Sequence, residues 1–284
     1  MPHTIASLDT ATRPKLGSLR LSIITPVFNG ERFLANCIQN VIDQDVKDIE
    51  HIIVDGGSTD ATLQIVANFQ QRHPHIRLIP GPDQGQSDAM NKGIRAALAP
   101  VISILNCDDF YEGGAFGDAL RIIESLPYPS FVVGNTRVVD ENGKTIYWNR
   151  PRDLRIESLV LGWWYTTPPM NPSAYFYHKN IHDTVGYYDT ADHYTLDQAF
   201  VLTCAKRGAN MVYVDRHWGN FRLMPGTKTY DDQIKGTALP RMRALYRDYI
   251  SAFSWKQRLK MHMIWSMKVP RRFAWLVLHR WNLR

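Results

Sequence analysis

Cysteines are few, and no two of them stand close together in the sequence. Cys37, Cys107 and Cys204 form no Cys-x-x-Cys pair, which argues against a disulfide-stapled scaffold or a structural zinc site and suits a reducing cytoplasm. The first twenty residues have no apolar core of the kind found in a secretory signal. No apolar run approaches the roughly 20 residues of a membrane span. We therefore expect a cytoplasmic protein with a loose N-terminal arm at 1–19 and no membrane-spanning helix.

Acidic residues are absent from the C-terminal end of the chain. Residues 251–284 contain eight Lys and Arg and no Asp or Glu, so they account for the net charge of +6, and the rest of the chain has a slight excess of acid. A nucleic-acid-binding domain would carry its basic patch on the fold itself. We therefore expect no nucleic-acid partner.

The same tail has the pattern of a helix that lies on a membrane. A helix is predicted over 231–251, and Pro270 is expected to divide 254–281 into two short helices. In the first of these, apolar and basic side chains recur at helical spacing: Trp255, Leu259, Met263 and Met267 beside Lys256, Lys260 and Lys268. A basic helix with tryptophans suits an anionic membrane surface. The alternative is a helix pair packed on the protein itself or on a second subunit.

The first part of the chain alternates apolar, β-branched segments with amphipathic helical segments. Predicted strands cover 21–28, 50–55, 76–79 and 101–105, and helices are predicted from Glu31, after 60 and over about 86–99. This alternation predicts right-handed β-α-β crossovers and a mostly parallel sheet. The length of 284 residues allows one large α/β domain with additions.

Acidic residues follow three of the four predicted strands: Asp55, Asp83 and the pair Asp108–Asp109. The carboxyl ends of parallel strands open into the crevice where ligands bind. Adjacent carboxylates offer hard oxygen ligands to Mg²⁺ or Mn²⁺, which can in turn hold a diphosphate. Alternatively, Asp108 and Asp109 solvate a loop and cap the next helix. Three acidic strand ends on one edge favour a binding site.

The pattern changes in the second half. Strands are predicted at 131–139 and 145–148 around a turn, at 173–177 and at 211–214, with a helix over 195–207 and a basic loop over 221–229. The aromatic, proline-rich stretch 163–172 suits either a sugar or lipid pocket or internal packing. Asp197 lies in the first turn of its helix, where a carboxylate is favoured by the dipole alone.

Four motifs, in this order and spacing, resemble the family 2 glycosyltransferases. They are TPVFN at 25–29 with Glu31, VDGGSTD at 54–60, DQGQSDAMNKG at 83–93 and NCDD at 106–109. The resemblance covers about 21–229 and implies a GT-A-type, Rossmann-like α/β domain with helices on both faces of the sheet. It divides the chain into a nucleotide-binding half at 20–110, an acceptor-binding half at 111–230 and a basic helical extension at 231–284.

The resemblance also implies roles for individual residues. Nucleotide contacts are expected from Thr25, Pro26, Phe28, Glu31, Asp55, Ser58, Asp83, Asp88, Lys92, Asn106 and Asp108. Asp108 and Asp109 match a motif for Mn²⁺ or Mg²⁺, with Asp109 as the direct ligand, and Asp197 stands where the family has its catalytic base. Loops around the acceptor and the diphosphate are expected to contribute Trp163, Asn171, Arg222, Thr227 and Lys228.

The implied activity is inverting transfer of one hexosyl or N-acetylhexosaminyl group from a nucleotide sugar, with a UDP-sugar favoured. The basic tail together with the resemblance indicates an acceptor that is a lipid-linked or polysaccharide hydroxyl used in cell-envelope glycan synthesis, at the inner face of the plasma membrane. Two departures stand out: Met224 occupies a place where relatives often have His, and the Gln-x-x-Arg-Trp motif of processive synthases is absent.

Two other functions remain open at this point. A nucleotidyltransferase acting on a sugar phosphate also combines an α/β sheet with paired acids, but it usually has a glycine-rich phosphate loop near the first strand. Here that segment offers only Gly30, followed by Arg32. A non-catalytic nucleotide-sugar-binding module would keep the same acids without turnover.

Overall fold

The computed structural model describes residues 19–162 and 165–280, with 268–280 described by their backbone alone. Residues 1–18 of the predicted arm at 1–19, residues 163 and 164, and the last four residues therefore lie outside the described residues. The strands are β1 (Leu21–Val27), β2 (Ile49–Asp55), β3 (Ile76–Pro80), β4 (Val101–Ile104), β5 (Phe110–Tyr111), β6 (Ser130–Val139), β7 (Thr145–Asn149), β8 (Tyr175–His178) and β9 (Asn210–Arg222).

The helices of the main domain are α1 (Leu34–Ile42), α2 (Thr62–Gln70), α3 (Gln86–Ala96), α4 (Ala115–Ile123), α5 (Ile156–Leu159), α6 (Ile181–Val185) and α7 (Leu196–Lys206). Three more follow: α8 (Lys228–Ile234), α9 (Ala238–Ser251) and α10 (Trp255–Arg280). The α/β class with C-terminal helices is thus confirmed.

The strands form one sheet in the order β3-β2-β1-β4-β8-β6-β9-β5, with β7 beside β6. The first four strands are parallel, as the alternation of strands and helices predicts. β8 then runs antiparallel between β4 and β6, while β6 and β9 are parallel to each other. The carboxyl ends of β1, β2 and β4 consequently share one edge, near the place where the pairing changes direction.

Alternate residues of the central strands enter two different hydrophobic cores, because successive side chains of a strand point to opposite faces. On one face Ile24 and Ile102 pack with α3 and α7. On the other face Ile23 and Val101 pack with α1 and α4. The sheet is therefore covered by helices on both sides, and its polar edge is left for a ligand.

Two predictions for the tail are wrong in detail. The single helix expected over 231–251 is interrupted, because the chain turns at Gly236, where φ is +69°. Pro270 does not divide the last segment, since α10 continues from Trp255 to Arg280. A proline removes one helical N–H donor, and the turns on either side still form. Within the described residues, no helix is both long enough and apolar enough to cross a membrane.

Candidate active site

A cavity of about 690 Å³ lies at the edge of the sheet where β1 and β4 end. Its walls come from the segments after these strands, from α3, from the start of α7 and from α8 and α9. The predicted site residues that line it are Pro26, Phe28, Asp83, Asn106, Asp108, Asn171, Asp197, Thr227 and Lys228. Residues 200 positions apart in the sequence therefore meet around one space.

Asp197 faces the cavity from the first turn of α7 and is half-buried, with its Oδ1 atom shielded from solvent. Its Oδ1 atom has no hydrogen-bond partner among the described residues. Burial, and then the charge of Asp192, raise the pKa of Asp197 to about 7. The position near a helix N-terminus would favour the ionised form, but the loss of water outweighs it. The result is a carboxyl that exchanges its proton near neutral pH, as a general base requires.

The loop before α7 holds Asp197 in place. Asp192 accepts hydrogen bonds from the backbone N–H groups of Tyr194 and Thr195, at 2.9 and 2.8 Å. Its own carbonyl oxygen accepts one from the Ser87 hydroxyl of α3, at 2.9 Å. The start of α7 is therefore fixed to α3, in the first half of the domain.

The two adjacent acids after β4 have different surroundings. Asp109 is buried, and its carboxylate accepts hydrogen bonds from the side-chain amides of Asn106 and Asn171 and from the backbone N–H of Arg222. Asp108 faces the cavity instead. The geometry therefore favours Asp108, rather than Asp109, as the acid that reaches a bound ion directly.

The carboxylate oxygens of these two acids are suitable ligands for a divalent cation. Burial raises the pKa of Asp108, and burial together with the charge of Asp108 raises that of Asp109 well above its ordinary value. A cation would restore the ionised forms. In the part of the chain that the structure describes, no group of three or more His, Cys, Asp or Glu side chains could hold a metal. Mg²⁺ and similar ions commonly complete such sites with substrate phosphates and water.

Four predicted nucleotide contacts support the loops beside the cavity. The Thr25 hydroxyl is buried and pairs with the His51 imidazole at 2.8 Å. The remaining three order the loops that follow β1 and β2. The Glu31 carboxylate accepts a hydrogen bond from the Ala61 N–H, and the Asp55 carboxylate accepts hydrogen bonds from the Gly57 and Ser58 N–H groups. The Ser58 hydroxyl oxygen accepts one from the Asn29 N–H. None of the four lines the cavity described above.

The segment before α3 is a second supporting loop. Asp83 Oδ1 accepts a 2.8 Å hydrogen bond from the Gly85 N–H, and Asp83 lines the cavity. Asp88 and Lys92 form a 3.0 Å ion pair one helical turn apart. The Lys92 ammonium also donates a hydrogen bond to the Pro82 carbonyl at 2.8 Å. Asp88 and Lys92 therefore stabilise this loop without lining the cavity themselves.

The predicted basic loop at 221–229 begins inside β9, which continues to Arg222, and it contributes differently from what its sequence predicts. Arg222 donates from Nε to the Asp108 carbonyl oxygen at 2.8 Å, and its guanidinium lies 4.7 Å from the centre of the Phe110 ring. It therefore holds the acidic turn. Thr227, Lys228 and the buried Met224 face the cavity. Trp163 lies outside the described residues.

Sequence reasoning missed the contribution of the C-terminal segment. The sequence predicts a separate basic extension from 231 onward, but Asp232 and Gln233 of α8 and Ala238 and Met242 of α9 line the cavity. No periodic pattern in the sequence indicates that residues of α8 and α9 lie beside the start of α7. His193 and Tyr194 were missed as well, and their position just before Asp197 was the available signal.

Solved structures with the same fold are glycosyltransferases of the GT-A type. S. aureus TarS in complex with UDP aligns with a TM-score of 0.63 at 17% identity, over 90% of this chain and 72% of that chain. The mannosyltransferase PcManGT from Pyrobaculum calidifontis, in complex with GDP-Man and Mn²⁺, aligns with a TM-score of 0.53 at 16% identity, over 98% of this chain and 92% of that one.

The chain belongs to Glycosyl transferase family 2, whose profile matches residues 22–191, more than half of its length. An uncharacterized glycosyltransferase of Nostoc sp. is 33% identical over 132 residues, which are 45% of this chain and 40% of the relative. The match thus spans less than half of that relative's own length.

Proposed function

We propose that this chain is an inverting glycosyltransferase that moves one hexosyl or N-acetylhexosaminyl group from a nucleotide sugar to an acceptor hydroxyl. The observation that carries the proposal is the shared cavity, which is lined both by Asp197, whose Oδ1 atom has no partner among the described residues, and by the acidic turn at Asp108. One group can accept a proton while the other lies where a leaving diphosphate can be bound.

The donor would lie along the edge formed by the ends of β1 and β4. Pro26, Phe28 and Asn106 line that part of the cavity, and the Phe28 ring is 63% exposed, which leaves it free for a base or ribose. Structural neighbours were solved with UDP and with GDP-Man. We favour a UDP-sugar as the donor of this chain.

Asp108, backed by Asp109, would hold Mn²⁺ or Mg²⁺. When bound, the cation neutralises the charge that develops on the leaving diphosphate. Lys228 and the Thr227 hydroxyl face the same cavity, and they can bind phosphate oxygens from the other side. Their contribution does not depend on an imidazole at position 224, which is Met in this chain.

Asp197 would remove the proton of the acceptor hydroxyl as that oxygen bonds to the anomeric carbon. A neutral hydroxyl is a weak nucleophile, so a base of suitable pKa lowers the barrier. Attack on the face opposite the diphosphate inverts the anomeric configuration. One carboxyl oxygen of Asp197, Oδ1, has no hydrogen-bond partner among the described residues and is free to accept that proton.

The acceptor is proposed to be a lipid-linked sugar or a polysaccharide of the cell envelope, met at the inner face of the plasma membrane. The support comes from α10, whose Ile264 packs inward and whose Lys260 ion-pairs with Glu157 at 3.3 Å. The apolar residues Trp255, Leu259, Met263 and Met267 of the same helix are exposed. An outward apolar stripe next to basic residues suits an anionic lipid surface.

Labelled UDP- and GDP-sugars, supplied with Mn²⁺ and a polyprenyl-diphosphate-sugar acceptor, test this function. We expect transfer from one donor and inverted stereochemistry in the product by NMR. Release of pyrophosphate from a nucleoside triphosphate and a sugar phosphate would identify a nucleotidyltransferase instead. Tight nucleotide binding without turnover on any acceptor would identify a non-catalytic nucleotide-sugar-binding module.

A further inference from the structure

The C-terminal segment closes one wall of the cavity. Asp232 on α8 and Met242 on α9 both face it, and the chain turns at Gly236 between the two helices. This wall lies beyond the stretch 22–191 that matches the family. Membership of the family therefore does not explain it, and a role has to be argued from its own contacts.

Arg241 joins this wall to the loop that precedes Asp197. Its guanidinium pairs with the carboxylate of Asp232, which also accepts a hydrogen bond from the Thr237 hydroxyl. On its other side, the Cζ atom of Arg241 lies 3.7 Å from the centre of the Tyr194 ring. A planar guanidinium can donate to a carboxylate and stack on a ring at once, which a lysine cannot do as well. We call Asp232, Arg241 and Tyr194 the clamp.

The clamp acts on the segment that carries Asp197. The backbone N–H of Tyr194 donates to Asp192, the residue that orders the turn before α7. Further along, α9 also supports α7 itself, because the Tyr249 hydroxyl donates to the Ala199 carbonyl at 3.0 Å. The helix α9 is thus attached both to the loop before Asp197 and to the helix after it.

We propose that Arg241 is a positioning residue for sugar transfer: it closes the α8–α9 wall against Tyr194 and so fixes the Asp197 carboxylate relative to the acceptor. The proposal rests on the proposed function. A displacement of a reacting group by about 1 Å can cost about 100-fold in rate. An open wall would also admit water, which competes with the acceptor for the donor sugar.

The test compares Arg241→Ala with Arg243→Ala. Arg243 lies on the same helix, is exposed, and makes no hydrogen bond or ion pair within the described chain. We expect Arg241→Ala to lower kcat for transfer by about 10- to 100-fold, to raise the fraction of donor hydrolysed by water, and to leave the Kd of the nucleotide nearly unchanged. Arg243→Ala should match the parent chain. Equal kcat values for the two variants would overturn the proposal.

A second variant keeps the test valid if Arg241→Ala fails to fold. Tyr194→Leu removes a ring that is 53% exposed and leaves the ion pair with Asp232 intact. It should give the same loss of kcat, and the double variant should lose little more, because both substitutions break one contact. Losses that multiply in the double variant would contradict the clamp.

Amide hydrogen exchange separates the clamp from the enzymatic proposal, since it needs no substrate. Arg241→Ala should exchange faster at 192–197 and at 234–239, whereas Arg243→Ala should not. Unchanged exchange at 192–197 would overturn the clamp even if the chain transfers sugar. Faster exchange in a chain that transfers no sugar from any donor would instead refute the proposed function.

Discussion

The side-chain amide of Asn171 donates a 2.8 Å hydrogen bond to the carboxylate of Asp109. Asn171 precedes β8 in the second half of the domain, whereas Asp109 follows β4 in the first half. The backbone N–H of Arg222 donates to the other oxygen of Asp109 at 3.0 Å. One buried acid therefore ties three distant segments together, and its neighbour Asp108 is left to face the cavity.

Alanine at position 108 and alanine at position 109 should have different effects. Asp108→Ala should weaken Mn²⁺-dependent nucleotide binding with little change in thermal stability. Asp109→Ala leaves one buried and two partly buried N–H donors without their acceptor. We therefore expect the free energy of unfolding to fall by about 1–3 kcal/mol, with weaker metal-dependent binding as a consequence. Calorimetry with and without Mn²⁺ and urea unfolding check the two effects. Unchanged nucleotide affinity in both variants would exclude this turn as the metal site.

Asp197→Asn should abolish transfer and leave nucleotide binding nearly intact, because the amide keeps the shape of the carboxyl but cannot accept the proton. General base catalysis contributes about 100- to 10,000-fold to a rate. Asp183→Asn on the exposed part of α6 is the matched control and should retain full activity. If turnover of Asp197→Asn survives within about tenfold, or roughly 1.4 kcal/mol of barrier, the base is a different residue.

The pH dependence should report the same carboxyl. Since burial and Asp192 raise the pKa of Asp197 to about 7, kcat should be full above that pH and fall as the base becomes protonated below it. A folded-state pKa above the ordinary 3.8 also means that this group's contribution to stability is complete at low pH and is lost as pH rises through about 7.

The stability of Asp197→Asn relative to the parent chain should therefore increase from pH 4 to pH 8. Thermal unfolding of both proteins across that range measures the difference, and the comparison cancels the other titrating groups. A difference independent of pH would show that Asp197 titrates normally.

The sequence predicts the parallel half of this fold well, because alternating strands and helices leave few possible topologies. The family resemblance groups Asp197 with the acidic strand ends; Asp83 and Asp108 line the same cavity as Asp197, whereas Asp55 does not. The sequence does not decide which of two adjacent acids faces a cavity. Asp109 turns inward because its donors, Asn171 and Arg222, come from segments over 60 residues away, and no local pattern encodes that contact.

The same limit applies to the C-terminal wall. Asp232 and Arg241 are nine residues apart, a spacing that would not bring two side chains together on a single helix. Their contact exists because the chain turns at Gly236. A buried Thr25 paired with His51 is a similar case. Motif resemblance predicts a nucleotide contact for Thr25, and no local pattern indicates its hydrogen bond to the His51 imidazole.

Membrane association should depend on the exposed stripe of α10. Leu259→Glu places a charge where a 52% exposed leucine would enter the lipid headgroup region, so flotation with liposomes containing phosphatidylglycerol should fall. Leu98→Glu changes a leucine that is 48% exposed in the loop after α3 and should float as the parent does. Equal flotation of both variants would contradict membrane binding through α10. Unaltered flotation after deletion from residue 252 onward would contradict it as well.

Two glycines in helices should respond oppositely to alanine. A Cβ atom on Gly93 of α3 would overlap the Cγ2 atom of Ile24 and lie 3.2 Å from Val54, two residues of the close-packed core under the helix. We expect Gly93→Ala to lower the free energy of unfolding by about 1–3 kcal/mol. Gly117 of α4 has no atom within 4 Å of such a Cβ, so Gly117→Ala should raise stability by about 0.5–1 kcal/mol through the better helix propensity of alanine. Urea unfolding of the two variants checks the signs. A stabilising Gly93→Ala would mean that α3 lies further from the sheet than the contacts of Gly93 indicate, and the cavity wall that α3 forms would then lie further out as well.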